Sequence, residues 1–316
     1  MAQHYLDFEK PIADLEAKIE ELQALSETTG SFEAEIEALR KKARKLRQEA
    51  YAELDPWKKT QVARHPQRPH LVDYLEHLFT DFVELKGDRQ FGDDQAIVGG
   101  LARFRDKPVV VMGHEKGHDT SSRLTHNFGM ARPEGYRKAV RLMDMAERFN
   151  LPVLTFVDTA GAYPGLGAEE RGQAEAIARS TERGLTLGTP MIATITGEGG
   201  SGGAIALAAA NRVLMLEHSI YSVISPEGAA SILWRDGSRA KDAASAMKIT
   251  APDLVELKIV DRIIPEPSGG AHAEREAAIQ AVGDAVQEEL AALEGLSPDE
   301  LRAQRAERFY AIGRLS

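Results

Sequence analysis

Two short runs carry residue types whose spacing alone could do chemistry. His114-Glu115-Lys116-Gly117-His118 has the form H-E-x-x-H, in which two histidines on one helical face share a zinc ion and the glutamate acts as general base. Gly197-Glu198-Gly199-Gly200-Ser201-Gly202 has the form G-x-G-x-x-G, with Glu217 further on at the distance of a ribose-binding acid. Dinucleotide sites are built this way. The same glycines permit a third chemistry. The first amides of a helix lack intrahelical partners and the helix dipole favours negative charge, so Gly202 and Gly203 at a helix start could hold an oxyanion, with no Cβ in its way. Gly161 and Ala162, just after Asp158 at the end of an apolar run, are similarly placed. A helix packed tightly on a sheet asks for the same small residues, and the local pattern leaves both readings open.

The elements around these runs decide among the chemistries. The stretch before His114 reads as a strand, Gly117 interrupts the motif, and Asp119-Thr120-Ser121-Ser122 reads as loop. A helical zinc face is therefore not expected, and no metal is expected in this chain. The P-loop form is absent too, since Gly203-Ala204 stands where Lys and Ser or Thr should follow. Against a dinucleotide site stand the short helix from Ser201 to Ala210, the late position of the fingerprint and the second glycine-rich turn before it.

What positions the glycines is a unit that occurs twice. PVLTFVD precedes TAGAYPG, and PMIATIT precedes GEGGSGG: a buried strand, a glycine-rich turn, then a helix. Around them the pattern predicts paired strands over Ala96 to Phe104 and Pro108 to Glu115, and helices over Arg132 to Asn150 and Ala168 to Leu187. Further strands are expected at Val213 to Glu217, Ile220 to Ser225 and Ile259 to Pro265, with small helices between and a helical tail from Ala271. At the other end, Ile12, Leu15, Ile19 and Leu22, then Phe32, Ile36, Leu39 and Ala43, recur at helical spacing across a Thr-Thr-Gly-Ser break. They predict a helical hairpin with Ser31 as N-cap. The fold class is α/β, divided as an N-terminal hairpin over 1–55, a main domain over 56–295 and a C-terminal helical tail over 296–316.

Composition narrows the chemistry further. The chain has 316 residues, 43% of them hydrophobic, and no cysteine. Disulfides, thiolate metal sites and a cysteine nucleophile are excluded. Acidic residues outnumber basic ones by 49 to 39, so a nucleic-acid backbone is not an expected partner. No stretch has the length and apolarity of a membrane span, and the first residues lack signal-peptide character. A cytoplasmic location is expected.

Four long segments, NFGMARPEGYRKAVRLMDMAERF, TAGAYPGLGAEERGQAEAIA, GEGGSGGAIA and SVISPEGAASILW, resemble the signature blocks of acetyl-CoA carboxylase carboxyltransferase alpha subunits, in the family order. Departures are Ala160 where that family usually has Pro, Ala229 where Cys is common, and His118 and Ser121-Ser122 in place of a more basic run. The resemblance implies a crotonase-like ββα superhelix with the N-terminal hairpin and C-terminal helices attached. It implies transfer of a carboxyl group from carboxybiotin, held on a biotin carboxyl carrier protein, to acetyl-CoA, giving malonyl-CoA. Biotin would be the cofactor, and a beta subunit (as α2β2), the carrier protein and biotin carboxylase the partners. It assigns Gly202 and Gly203 to the catalytic oxyanion hole and Gly161, Ala162, Gly199 and Gly200 to the carboxybiotin side. The enzymatic rival on the same fold, an enoyl-CoA hydratase or isomerase, needs acid–base carboxylates. Glu198 and Glu227 are the candidates, each expected to be a solvated or helix-start carboxylate instead.

Overall fold

The computed structural model describes residues 4–29 and 32–313. Helices α1 (Lys10–Thr29) and α2 (Glu33–Ala52) form the expected hairpin, closed by Ile19, Leu22 and Ile36. Ser31 lies outside the described residues. Next come α3 (Pro56–Ala63), begun by an Asp55 cap and a proline in the first turn, and α4 (Leu71–Leu78). Strands β1 (Phe79–Glu84), β2 (Ile97–Phe104) and β3 (Lys107–His114) then run antiparallel. The turn of Arg105 and Asp106, both at positive φ, joins the last two where the sequence places it.

Beyond β3 the chain alternates. The elements are α5 (Thr120–Thr125), α6 (Pro133–Arg148), β4 (Val153–Thr159), α7 (Leu166–Glu170), α8 (Gln173–Thr186), β5 (Met191–Gly200), α9 (Ser201–Ala208) and β6 (Arg212–Leu216). After them come β7 (Ile220–Ser222), α10 (Pro226–Trp234), α11 (Ala240–Ala246), α12 (Ala251–Glu256), β8 (Arg262–Ile264), α13 (Arg275–Ala292) and α14 (Pro298–Ala311). The sheet order is β1-β2-β3-β4-β5-β6-β8, parallel from β3 onward, with β7 also paired to β5. This is the expected α/β class with helices at both ends. The sheet is buried on both faces, which is why β4 reads as an unbroken run without alternation. On one face α6, α8 and α9 supply Tyr136, Leu142, Ala176 and Leu207; on the other α4 and α13 supply Leu71, Tyr74, Ile279 and Val286.

Most expected elements are present with shifted ends, the strands expected at Ile220 to Ser225 and Ile259 to Pro265 being shortened to β7 and β8, and two differences bear on the site. The helix predicted over Ala168 to Leu187 is split into α7 and α8 at Gly172, whose φ of +81° is left-handed and stops the first piece. The turn predicted at Gly197 to Gly200 is strand: β5 pairs with β6 over Ile192–Ile195, then continues and pairs with β7 over Glu198–Gly200.

The connection back to the sheet is locked by a buried ion pair. Arg68, between α3 and α4, donates through Nη1 and Nη2 to both carboxylate oxygens of Glu266, each at 2.8 Å, and through Nε and Nη2 to the Thr196 carbonyl at 3.1 and 2.9 Å. Burial raises the Glu266 pKa, but Arg68 outweighs it and the carboxyl is held from 4.5 down to about 2. A depressed carboxylate contributes stability that is full above its unfolded pKa and lost as pH falls through its folded one. Denaturant titrations should therefore show this group's contribution, on the order of 3 kcal/mol, fading as pH drops from about 4.5 toward about 2. Glu266→Gln should lose 3–5 kcal/mol at neutral pH, roughly the cost of breaking a buried pair, and have a flatter acid limb. An unchanged acid limb in that variant would show that the pair contributes nothing.

Candidate functional site

The parallel strands β4 and β5 end side by side, with Thr159 opposite Gly199. Ligands of α/β sheets gather at such carboxyl ends. From β4 the chain enters the Gly161–Ala162 turn; from β5 it passes straight into α9. The passage is strained, since Ser201 takes a φ of +48° at the first position of the helix. Non-glycine residues held there cost energy and concentrate at functional sites.

The two glycine segments are packed against one another. A Cβ on Gly200 would lie 2.2 Å from the Ala160 carbonyl oxygen, and one on Gly203 would lie 2.9 Å from both the Ala162 nitrogen and the Gly161 carbonyl carbon. Backbone meets backbone here, so no side chain fits. Gly202 differs: its Cβ would meet only Ile177, at an ordinary 3.4 Å. Gly199 faces Tyr221, whose ring a Cβ would approach to 2.8 Å. No side chain caps the start of α9, and the first amides of a helix have no intrahelical partner, so those of Gly202 and Gly203 are the ones an external acceptor would meet. On the neighbouring turn the Gly161 amide is taken by Thr159 Oγ1 at 3.1 Å. Ala162 is thus the residue of that turn whose nitrogen sits against Gly203. Beside the α9 start lies an apolar cleft of about 360 Å³, lined by Gly202, Ile205, Tyr221, Val223, Leu254 and Ile259.

Behind and beside these turns is a set of polar groups whose contacts, and in the case of Tyr136 whose presence, the sequence did not disclose. Tyr136 Oη is buried without a hydrogen-bond partner, and a Cβ on Gly203 would reach it at 3.2 Å. His114 is buried at the end of β3 and its ring nitrogens make no well-formed hydrogen bond. Burial, and then Lys116, push its pKa down to about 3. The Lys116 ammonium lies 2.6 Å from Asp158 Oδ1 and 3.3 Å from Glu198 Oε2. Burial opposes its charge, but the two carboxylates outweigh burial and raise its pKa. Asp158 Oδ1 also accepts the Glu198 amide at 2.9 Å, tying the ends of β4 and β5 together. A Cβ at Gly197 would fall 2.4 Å from that oxygen. The network lines a second cavity of about 290 Å³, between α3 and the β3–α5 turn.

The rival chemistries lose their geometry. His114 ends a strand and His118 lies in the turn beyond it, so H-E-x-x-H never forms a helical face. A dinucleotide fingerprint needs its glycines in the turn between strand and helix, but Gly197, Gly199 and Gly200 are within β5. Glu217 follows β6 and is occupied, accepting the Glu266 amide at 3.2 Å. Glu198 is buried, not solvated as expected, and is bonded by Arg64 Nε at 2.6 Å as well as by Lys116. Glu227 stands in the first turn of α10 as expected, 2.6 Å from Arg64. Burial raises its pKa, yet Arg64 brings the net shift below the usual range. Carboxylates held this firmly by cations are poor proton shuttles.

Residues 5–313 match the family described as acetyl co-enzyme A carboxylase carboxyltransferase-like. The chain is 78% identical over 316 residues, 99% of both chains, to the acetyl-coenzyme A carboxylase carboxyl transferase subunit alpha of Caulobacter vibrioides strain NA1000. With that of Phenylobacterium zucineum it shares 71% over 316 residues, again 99% of both. Among solved structures, a Pseudomonas malonate decarboxylase hetero-tetramer in complex with coenzyme A matches with a TM-score of 0.56 and 20% identity, covering 70% of this chain and 89% of that one. The transcarboxylase 12S core matches with a TM-score of 0.55 and 18% identity, covering 67% and 41%. At these identities the likeness speaks for the crotonase-like fold.

Proposed function

The chain belongs to the acetyl-CoA carboxylase carboxyltransferase alpha-subunit family, and from that premise we propose that its α9 start and its Ala162 turn are the oxyanion hole of the carboxyl transfer. The reaction moves the carboxyl group of carboxybiotin to acetyl-CoA and yields malonyl-CoA for fatty acid synthesis. The biotin is carried by a separate carrier protein and charged by a separate biotin carboxylase, in the cytoplasm. Gly202 and Gly203 donate backbone hydrogen bonds to the developing anion, and Gly161, Ala162, Gly199 and Gly200 shape the carboxybiotin side.

One observation carries this reading: two backbone segments at the carboxyl ends of β4 and β5 are packed so closely that only glycine fits at 200 and 203, beside an uncapped helix start. Fixed dipoles of this kind stabilise charge without reorganising during the reaction. The acid–base work need not come from the protein, because biotin that has lost its carboxyl group can accept the methyl proton of acetyl-CoA. That division of labour fits carboxylates already neutralised by Arg64 and Lys116. The test is product analysis of the chain assembled with a beta subunit and supplied with carboxybiotin and acetyl-CoA. Malonyl-CoA is expected, and crotonyl-CoA is expected to remain unhydrated. Hydration of crotonyl-CoA without any malonyl-CoA would replace this reading by the hydratase one.

A further inference from the structure

The second histidine of the broken H-E-x-x-H run finds a different partner. The turn after β3 brings Glu115 and His118 back to the start of α4, where His70 is the residue before the helix. One ligand atom from each of His70, Glu115 and His118 lies within 4.8 Å of the other two. His70 Nδ1 is 3.5 Å from Glu115 Oε1, close to the roughly 3.4 Å between two donors held at about 2.1 Å on a tetrahedral ion. That nitrogen is buried and makes no well-formed hydrogen bond, the Glu115 carboxylate being the acceptor beside it, and an ion held between the two would satisfy both groups better than this long contact does. Glu115 is buried as well, and its two oxygens accept the amides of Gly117 at 2.7 Å and Val72 at 3.1 Å. Such supporting bonds fix the orientation of metal-ligating carboxylates.

We propose that His70, Glu115 and His118 bind one divalent transition-metal ion of the zinc type, which clamps the β3–α5 turn, and with it Lys116, to the start of α4. Two imidazoles and a carboxylate are the donor set such ions take, leaving a fourth position for water. His118 stacks on His70 with ring centroids 4.3 Å apart. Two stacked rings cannot both point a lone pair at one ion, so His118 tilts out of the stack on binding. Its side chain is 34% exposed at the rim, which leaves it room. A second cluster of metal-capable residues among the described residues, Glu9, His65 and His272, lacks this freedom. Both His65 nitrogens are engaged, Nε2 with the His4 carbonyl at 3.0 Å and Nδ1 with the Gln67 amide at 3.2 Å.

The experiment titrates the full-length chain with Co²⁺, and then with Zn²⁺ in competition, following the visible cobalt absorption and the thermal midpoint. One equivalent with a tetrahedral or five-coordinate spectrum and a raised midpoint is expected. His118→Gln alters a rim residue and should fold normally while losing on the order of 100-fold or more in affinity, at least the cost of disturbing a supporting shell. His126→Gln, on the neighbouring turn, should bind as the wild type does. A wild-type chain that shows no saturable cobalt spectrum, or a His118→Gln chain that binds as tightly as wild type, overturns the proposal. Neither result depends on carboxyl transfer, so the reading of the oxyanion hole stands or falls separately.

Discussion

Gly203→Val is expected to lower the turnover of the assembled carboxyltransferase on the order of 10²-fold or more, the usual cost of removing one donor from an oxyanion hole. The reason is spatial. A Cβ at 203 would sit 2.9 Å from the Ala162 nitrogen and the Gly161 carbonyl carbon, so a valine must push the two backbone segments apart. Gly202→Ala is the internal contrast. Its Cβ would only touch Ile177 at 3.4 Å, and its amide is kept, so turnover should fall far less. A packing role alone gives a different pattern, in which Gly203→Val is destabilised but retains full turnover per folded, assembled molecule. Steady-state kinetics together with a thermal midpoint and a sizing measurement on the assembled enzyme separate the two. Undiminished turnover in a folded, assembled Gly203→Val enzyme would falsify the oxyanion assignment.

The parts of this site legible in the sequence are those coded by local pattern. The apolar runs at 152–158 and 190–196 announce β4 and β5 because both strands are buried on both faces. The residues between Pro56 and Gln95 were silent by comparison. β1 is an edge strand with an exposed, irregular face, and its Phe79–Glu84 stretch lacks the alternation of a half-buried strand. The glycine run misled in a specific way. Four glycines in six residues read as a turn, yet Gly197 to Gly200 are strand paired in part with β7, and 197, 199 and 200 are glycine because Asp158, Tyr221 and the Ala160 carbonyl crowd them too closely for side chains. The ionic network was out of reach altogether. Arg64 and Glu198 are 134 positions apart and Arg68 and Glu266 are 198 apart, and no local spacing records which distant charges will meet. The pairing of His118 with His70 escaped for the same reason, hidden behind the more conspicuous spacing to His114.

The isolated chain is expected to form no malonyl-CoA, and activity should appear only on mixing with a beta subunit, rising saturably with its concentration. The transfer has two substrates, and two anions must be met in turn. One set of packed, uncapped amides stands at the ends of β4 and β5, and on the proposed reading the second hole is expected from the partner. Side chains that could act as proton shuttles in place of the second substrate, Glu198 and Glu227, are already bound by Arg64. Exposed apolar side chains offer a contact surface as well. Val223 at the cleft rim is 82% exposed, and Ile232 and Leu233 on α10, the helix that follows it in the chain, are 73% and 67% exposed. Large exposed apolar side chains suit a surface that another chain covers. Juxtaposing both substrates across that contact supplies orientation that neither subunit has alone, an effect large enough to separate activity from background by several orders of magnitude. Leu233→Asp should then weaken assembly and shift the saturation curve to higher beta concentration, while turnover of the complex once formed stays near normal. Malonyl-CoA formation at full rate by the alpha chain alone, in preparations shown by mass spectrometry to contain no second subunit, would refute a shared site.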